Sequence, residues 1–514
     1  MLISPKHKKI LLNLREPERV TSIIPRSRVV NVQGRDIVAV EHGLDESRVL
    51  RNIGIHVPSP VRYYYDWPGI YKPYAHQEET VDFLTMNPRS FCLNDMGTGK
   101  SVSVLWAYDW LKSIGAVNKL LIISPLSTLE RAWGDEIFRH FPERSVGVLH
   151  GTAQHRVDVL AQDHDIYLIN HDGIKNKNLL KLLVEREEID IIVVDEIASF
   201  RNSSTERWKA LRAITRPRHW VWGLTGTPIP NEPTDAWAQI KIINPDGGTK
   251  FYGTFRDSVM KQLSQFKWVA RPGALDIVRA AMRPAIRYDR ADCIDLPPTT
   301  YADRHVALST EQSALYKQML QKFKAEFEGG QITALNEAVR VNKLLQICVG
   351  VAYSEEGDVE IPSPGRVEAL KEVIEEAGGK VIVFVPFTGA LKAVAAKLAE
   401  DYTVGVIHGE TSKPARDDIL GNFQNSDGAP RVLVANPGTM SHGLTLTAAS
   451  VIVWFSPIHS AEIYEQANAR IVRPGQKRNT LIVRMEGSDL ERRMYDKLQT
   501  RTKVQGTLLS MFET

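Results

Sequence analysis

At 514 residues the chain is long enough for about three structural units of roughly 150 residues each, and its 43% hydrophobic and 24% charged content excludes collagen-like, mucin-like and wholly disordered classes. Lys and Arg outnumber Asp and Glu by only 64 to 61, so any nucleic-acid surface must be local. Cys92, Cys293 and Cys348 lie far apart without CxxC spacing, which argues against a disulfide framework or a zinc site and for a reducing cytoplasm. No run approaches the ~18 apolar residues of a membrane span, and residues 1–9 lack a signal-peptide core, so no membrane association is expected.

Residues 1–68 read as a small accessory module, with β-like alternation over 28–40 and a helical pattern over 45–52. Its aromatic cluster of Tyr63, Tyr64, Tyr65 and Trp67 has two readings: stacking on bases, or packing against the next unit. From 69 to 243 short apolar runs at 91–93, 120–123, 166–169, 191–194 and 221–224 alternate with helical patterns. This is the signature of a parallel sheet covered by helices on both faces. Residues 244–358 read as a helical connector in which strands stop, irregular at first around Pro272, Pro284, Pro297 and Pro298, then periodic over 311–327 and 332–348. The strand pattern returns over 359–490, at 381–385, 404–407, 432–435, 451–455 and 480–483, and residues 491–514 form a C-terminal helix and tail. The fold class is therefore α/β, with two tandem parallel-sheet lobes, a helical connector and a small N-terminal module.

Four segments carry chemistry. NDMGTGKS, Asn94 to Ser101, follows a strand and opens a helix, the context a phosphate-binding loop requires. Gly97 and Gly99 let backbone N–H groups approach phosphate oxygens, Lys100 can reach the terminal phosphates, and the Ser101 hydroxyl can ligate Mg2+. Gly97, Thr98, Gly99, Lys100 and Ser101 are thus the candidate nucleotide-binding set, with Asn94 where the general pattern has its first glycine. In IDIIVVDEIA a buried strand ends in two carboxylates, Asp195 placed to hold the metal and Glu196 to orient and deprotonate the attacking water. Capping of the next helix is the plainer alternative. In WGLTGTPIPN the hydroxyls of Thr225 and Thr227 sit in a proline-closed turn that could link the nucleotide to another ligand. QANARIVRPGQ places Arg470 and Arg473 three apart on one helical face, as cations for the charge that develops on a γ-phosphoryl group or simply as a solvated basic face.

The ordered series YAHQ, NDMGTGKS, SPLSTL, DEIASFRN, LTGTPIPN, IDLPPTTY followed by Gln312 and Tyr316, LLQICVG, IHGETS, NPGTMSHGLTLTAAS, WFSP and QANARIVRPGQ resembles the Swi/Snf-type ATPases of superfamily-two helicases over roughly residues 74–498. The wording of NPGTMSHG, QANAR, HGLDESRVLRNIG and YDWPG is most similar to the compact phage and prophage-encoded branch, which implies a bacterial or phage-infected host cytoplasm. The resemblance implies two RecA-like lobes that use ATP and Mg2+ and translocate on double-stranded DNA. It assigns adenine reading to Gln77, a place near the nucleotide to Gly443, and arginine-finger roles to Arg470 and Arg473. Ser124, Thr128, Asn170, Thr225, His408, Gly409 and Asn436 match positions that track the nucleic-acid backbone. Two departures stand out: the acidic box reads DEIA, and Gly438, Thr439, Met440 and Ser441 replace the family's arginine and paired glycines. Because the sequence ends at Thr514, no bromodomain or linker-DNA-binding extension is expected, nor a dedicated chromatin remodeller. The rival expectations are a strand-separating DNA or RNA helicase and an inactive nucleotide-gated clamp.

Overall fold

The structure, a computed structural model, describes residues 1–32, 34–264, 267–293, 297–328, 334–354, 357–425, 428–440, 445–473 and 475–511. They form two compact units, Met1–Cys293 with the residues from Thr507 onward, and Ile294–Gly506.

The first unit opens with an antiparallel sheet of β1 (Leu2–Ser4), β2 (Lys9–Leu12), β3 (Arg28–Val32) and β4 (Arg35–Glu41) in the order β1-β2-β4-β3. The helix Leu44–Asn52 comes next, and Leu50 joins Ile10, Val38 and Val40 in a small core of the module's own. Its attachment to the rest of the unit is apolar, polar and aromatic, with Leu44 and Val61 buried in the same core layer as Val81 and Leu84. Arg51 pairs with Asp82 at 2.6 Å, and Tyr65 donates to Asp109 at 2.7 Å. Trp67 meets Trp106 edge-on at 5.7 Å, and the Trp106 indole donates to the Pro68 carbonyl. Of the two readings of the aromatic cluster, packing describes Tyr65 and Trp67. Tyr64 contacts His42, and Tyr63 keeps 43% of its surface exposed.

The remainder of the unit is a seven-stranded sheet of β5 (Arg89–Cys92), β6 (Lys119–Ser124), β7 (Val146–Leu149), β8 (Ile166–Asn170), β9 (Ile189–Asp195), β10 (Trp220–Leu224) and β13 (Ala285–Ile286), ordered β13-β5-β10-β9-β6-β8-β7 and parallel throughout. A separate antiparallel hairpin is formed by β11 (Met260–Ser264) and β12 (Lys267–Ala270). Period-two alternation sends Ile192 and Val194 of β9 into one apolar layer and Ile191 and Val193 into the other. Both faces are covered, so the strands read as continuous apolar runs.

In the second unit β14 (Thr299–His305), β17 (Lys380–Phe384), β18 (Val404–Ile407), β19 (Val432–Ala435), β20 (Ala449–Trp454) and β21 (Thr480–Glu486) form a second all-parallel sheet in the order β14-β21-β20-β17-β19-β18. Its two layers divide Val381 and Val383 from Ile382 and Phe384. The helices Thr310–Glu328 and Ala334–Cys348 precede the hairpin of β15 (Val351–Ser354) and β16 (Gly357–Glu360). The expectation that strands stop between 244 and 358 is therefore corrected. Two short hairpins lie there, β13 extends the first sheet, and β14 extends the second as a polar edge strand whose TTYADRH sequence lacks a buried-strand pattern. Among the described residues no helix is long and apolar enough to cross a membrane, and all three cysteines are free thiols.

One buried ion pair organises the second unit. The Arg366 guanidinium, 3% exposed, reaches the fully buried Glu491 at 2.6 Å and also donates to the carbonyls of Phe455, Met485 and Cys348. Glu491 in turn accepts from the Gly487 backbone and the Ser488 hydroxyl. Removing either partner strands a charge in the core, so Arg366→Ala is expected to cost about 3–5 kcal/mol, read as a lower urea midpoint for this unit.

Candidate active site

The phosphate-loop sequence occupies the turn between β5 and the helix Lys100–Ser113. Gly97 and Gly99 hold φ of 84° and 81°, left-handed values that favour glycine. At Gly99 a Cβ would also lie 2.1 Å from the Gln77 amide nitrogen, so a side chain there would displace the Gln77 amide. Gln77 donates to the Thr98 carbonyl at 3.2 Å and accepts from the Tyr74 backbone N–H at 3.0 Å, while the His76 ring bonds the same carbonyl at 2.9 Å. Gln77, only 4% exposed, thus braces the loop from beneath. Asn94 bridges two elements: its amide donates to Thr80 and its oxygen accepts from the Tyr288 backbone. The Lys100 ammonium is satisfied by the loop's own carbonyls, Asn94 at 2.8 Å and Asp95 at 3.0 Å. Ser101 is half-buried in the first helical turn, where backbone N–H groups and the helix dipole favour an anion.

The sheet order sets β9 between β6 and β10, which brings their carboxyl ends to one edge. Asp195 ends β9, opposite Leu224 of β10, and Ser124 ends β6 in register with Asn170 of β8. Burial pushes the Asp195 carboxyl up, while the Trp133 indole N–H at 2.9 Å, the nearby Lys100 charge and the Glu196 backbone N–H oppose that rise. Glu196 comes next in a left-handed conformation, φ 49°, uncommon for a residue with a Cβ and a form of strain that clusters at functional sites. Its carboxylate accepts from the Thr225 hydroxyl at 3.3 Å, and Thr225 in turn accepts from the Thr227 backbone. The TGT turn is therefore tied to the candidate general base.

A hydroxyl at Ser101 and a carboxylate at Asp195 are hard oxygen donors of the kind Mg2+ takes. No cluster of three or more His, Cys, Asp or Glu suited to a metal occurs among the described residues. The donor set fits an ion held by one carboxylate, one hydroxyl, water and substrate phosphates rather than by a protein cage.

Of the residues matched to backbone tracking, Ser124 and Thr225 are fully buried and Thr128 is nearly so, bonding the Pro125 carbonyl at 3.0 Å. Asn170 is half-buried, with its Oδ1 lacking a hydrogen bond. In the second unit Ile407 and Ala435 are register partners, which sets His408 and Asn436 side by side at the ends of β18 and β19. Asn436 donates to the Pro386 carbonyl and accepts from the Gly438 backbone. His408 Nδ1 accepts from the Glu410 backbone, and Gly409 faces open space. Gly443, like Ser441, lies outside the described residues.

The helical face expected to carry Arg470 and Arg473 is corrected. The helix Ala461–Asn468 ends before them, and both sit in the turns beyond it. Arg470 N bonds the Ala467 carbonyl and Ile471 N that of Asn468, tightening the exit, and the proline at 474 disfavours helical backbone at Arg473. Arg470 is 3% exposed and donates to the Gln466 carbonyl, whereas the half-buried Arg473 donates to Thr445 at 3.1 Å.

Sequence reasoning passed over Trp133, Arg287 and His171. Arg287, almost wholly buried, donates to the Leu93 carbonyl and pairs with Asp95 at 3.2 Å, and the His171 ring bonds the Asp195 carbonyl at 2.8 Å. Nothing local marks them, since each acts through a neighbour distant in sequence.

Residues 76–349 match the family described as SNF2-related domain, and residues 365–475 match the helicase conserved C-terminal domain. Among curated relatives, putative protein p41 of Acyrthosiphon pisum secondary endosymbiont phage 1 is 27% identical over 427 residues, covering 78% of this chain and 88% of its own. The putative ATP-dependent helicase/translocase YwqA of Bacillus subtilis is 25% identical over 453 residues, covering 83% of this chain and 47% of its own. Apart from the phage protein, the first relatives are much longer, and the chain spans 36% to 47% of each. A solved Sulfolobus solfataricus SWI2/SNF2 ATPase core in complex with dsDNA aligns at a TM-score of 0.42 and 24% identity, over 87% of this chain and 95% of that one.

Proposed function

This chain belongs to the SNF2-related family of helicase-like ATP hydrolases, and from that premise we propose that its hydrolysis is stimulated by double-stranded DNA, along which it translocates to remodel DNA or protein–DNA complexes. What supports the reading is one sheet edge. Lys100, Asp195 and Glu196 gather there, Thr225 links Glu196 to the next turn, and Ser124 and Asn170 stand on the adjoining strands.

In this mechanism the loop residues 97–101 bind the nucleotide phosphates, and the Lys100 ammonium exchanges two backbone carbonyls for phosphate oxygens. Ser101 and Asp195 would hold Mg2+, which when bound would supply neutralising charge to the nucleotide phosphates. Glu196 accepts the proton of the attacking water and is oriented by Thr225. The family resemblance assigns Arg470 and Arg473 to the γ-phosphoryl charge, and His408, Gly409, Asn436 and Gly443 to the remaining DNA and nucleotide contacts.

Steady-state ATP hydrolysis tests the proposal, measured without nucleic acid and with single-stranded DNA, duplex DNA or duplex RNA, using Lys100→Ala as the blank. Duplex DNA is expected to stimulate most. Greatest stimulation by single strands or RNA would favour an unwinding enzyme, and turnover no higher than the blank would leave a nucleotide-gated clamp.

A further inference from the structure

One helical run joins the segment matched to backbone tracking to the candidate metal ligand. It begins at Leu126–Thr128, continues as a π-helix over Leu129–Gly134 and ends as a regular helix over Asp135–His140. A π turn carries one extra residue, which rotates the succeeding residues by about 100° relative to an α-helix, and such turns concentrate at functional sites. The fully buried Trp133 lies within this stretch, and its Nε1 donates to Asp195 Oδ2 at 2.9 Å.

The other oxygen, Oδ1, accepts the Glu196 backbone N–H at 3.1 Å, so the indole is the side-chain donor that fixes the carboxylate's rotation. Tryptophan offers one N–H and no acceptor. Its ring is wholly buried in the apolar layer that also holds Leu129 and Ile137 of the same run. Thr128, bonded to the Pro125 carbonyl, is only five residues from Trp133. A displacement at Thr128 therefore reaches Asp195 through continuous helix and a single hydrogen bond.

We infer that Trp133 is a positioning residue that couples DNA at the Ser124–Thr128 segment to the orientation of Asp195 at the metal site. This rests on the duplex-DNA reading, which the nucleic-acid panel tests separately in the wild-type protein.

The test is Trp133→Phe in the full chain, a change that keeps an aromatic ring and deletes the N–H. Binding of a fluorescent ADP analogue is titrated with Mg2+, with and without duplex DNA. Partners behind a metal ligand typically tune affinity by ~10–100-fold. The variant is expected to raise the half-saturating Mg2+ by that factor, to lose the shift that DNA produces in the wild type, and to keep its Mg2+-free nucleotide affinity. Wild-type Mg2+ dependence in the variant, or an undiminished DNA shift, overturns the inference while leaving DNA-stimulated hydrolysis by the wild type intact. If the variant does not fold, the wild type carries the test. In protein labelled with 15N-tryptophan, Mn2+ with ADP is expected to broaden one indole resonance of the ten tryptophans beyond the rest. Uniform persistence of all ten overturns it.

Discussion

Arg473→Ala is expected to lower ATP turnover by roughly 10³–10⁵-fold, the range arginine fingers supply in nucleotide hydrolysis, while nucleotide affinity and melting temperature stay at wild-type values. The local structure separates this residue from its partner in the motif. The helix ends at Asn468, and Arg473 is half-buried in a turn, donating to the Thr445 hydroxyl. The Thr445 oxygen is uncharged, so this bond is weaker than one from the guanidinium to phosphate oxygens. Arg470 is different. Its side chain is buried against the Gln466 carbonyl, and its own carbonyl accepts from the Leu446 backbone, so it also holds the turn together. Arg470→Ala should consequently lose turnover and thermal stability together. Single-turnover hydrolysis, fluorescent-nucleotide titration and thermal melts distinguish the two. Weakened nucleotide binding with unchanged turnover in Arg473→Ala would assign that arginine to ground-state affinity.

Glu196→Gln is expected to bind ATP normally and to hydrolyse it about 10²–10⁴-fold more slowly, the contribution usual for a positioned general base. Glutamine preserves the volume of the side chain and can still accept from Thr225, so the geometry around the 3.3 Å contact is retained while proton acceptance is lost. The left-handed backbone at Glu196 is unaffected by the change, which isolates chemistry from fold. Unchanged turnover would remove Glu196 from the role of base. Thr225→Val should act in the same direction with a smaller effect, because it leaves the carboxylate in place but without its hydroxyl donor.

The buried strands were legible in the sequence because helices on both faces make them continuous apolar runs: β9 and β10, expected from 191–194 and 221–224, form over Ile189–Asp195 and Trp220–Leu224. Strands that escaped notice lack that signal. β7 is four residues with a glycine, β13 is two residues, and β14 is a polar edge strand recognisable only from its pairing with β21. The phosphate loop and the acidic strand end were readable because their chemistry is local: a turn, a helix start and the end of one strand. Trp133 was not, since its bond to Asp195 joins residues 62 apart. The two arginines were placed on a helical face by spacing alone, whereas backbone hydrogen bonds at Ala467 and Asn468 and the coming proline turn the chain out of the helix first.

Triple-helix displacement measures translocation along duplex DNA without strand separation. A labelled third strand is bound at the far end of a duplex, and its release by the protein is followed with ATP, without ATP, and with Glu196→Gln. Such translocation entails ATP-dependent release from an intact duplex, lost in Glu196→Gln, with no separation of the two duplex strands. Failure to release the third strand while ATP is being hydrolysed, or release only together with unwinding of the duplex, would contradict it.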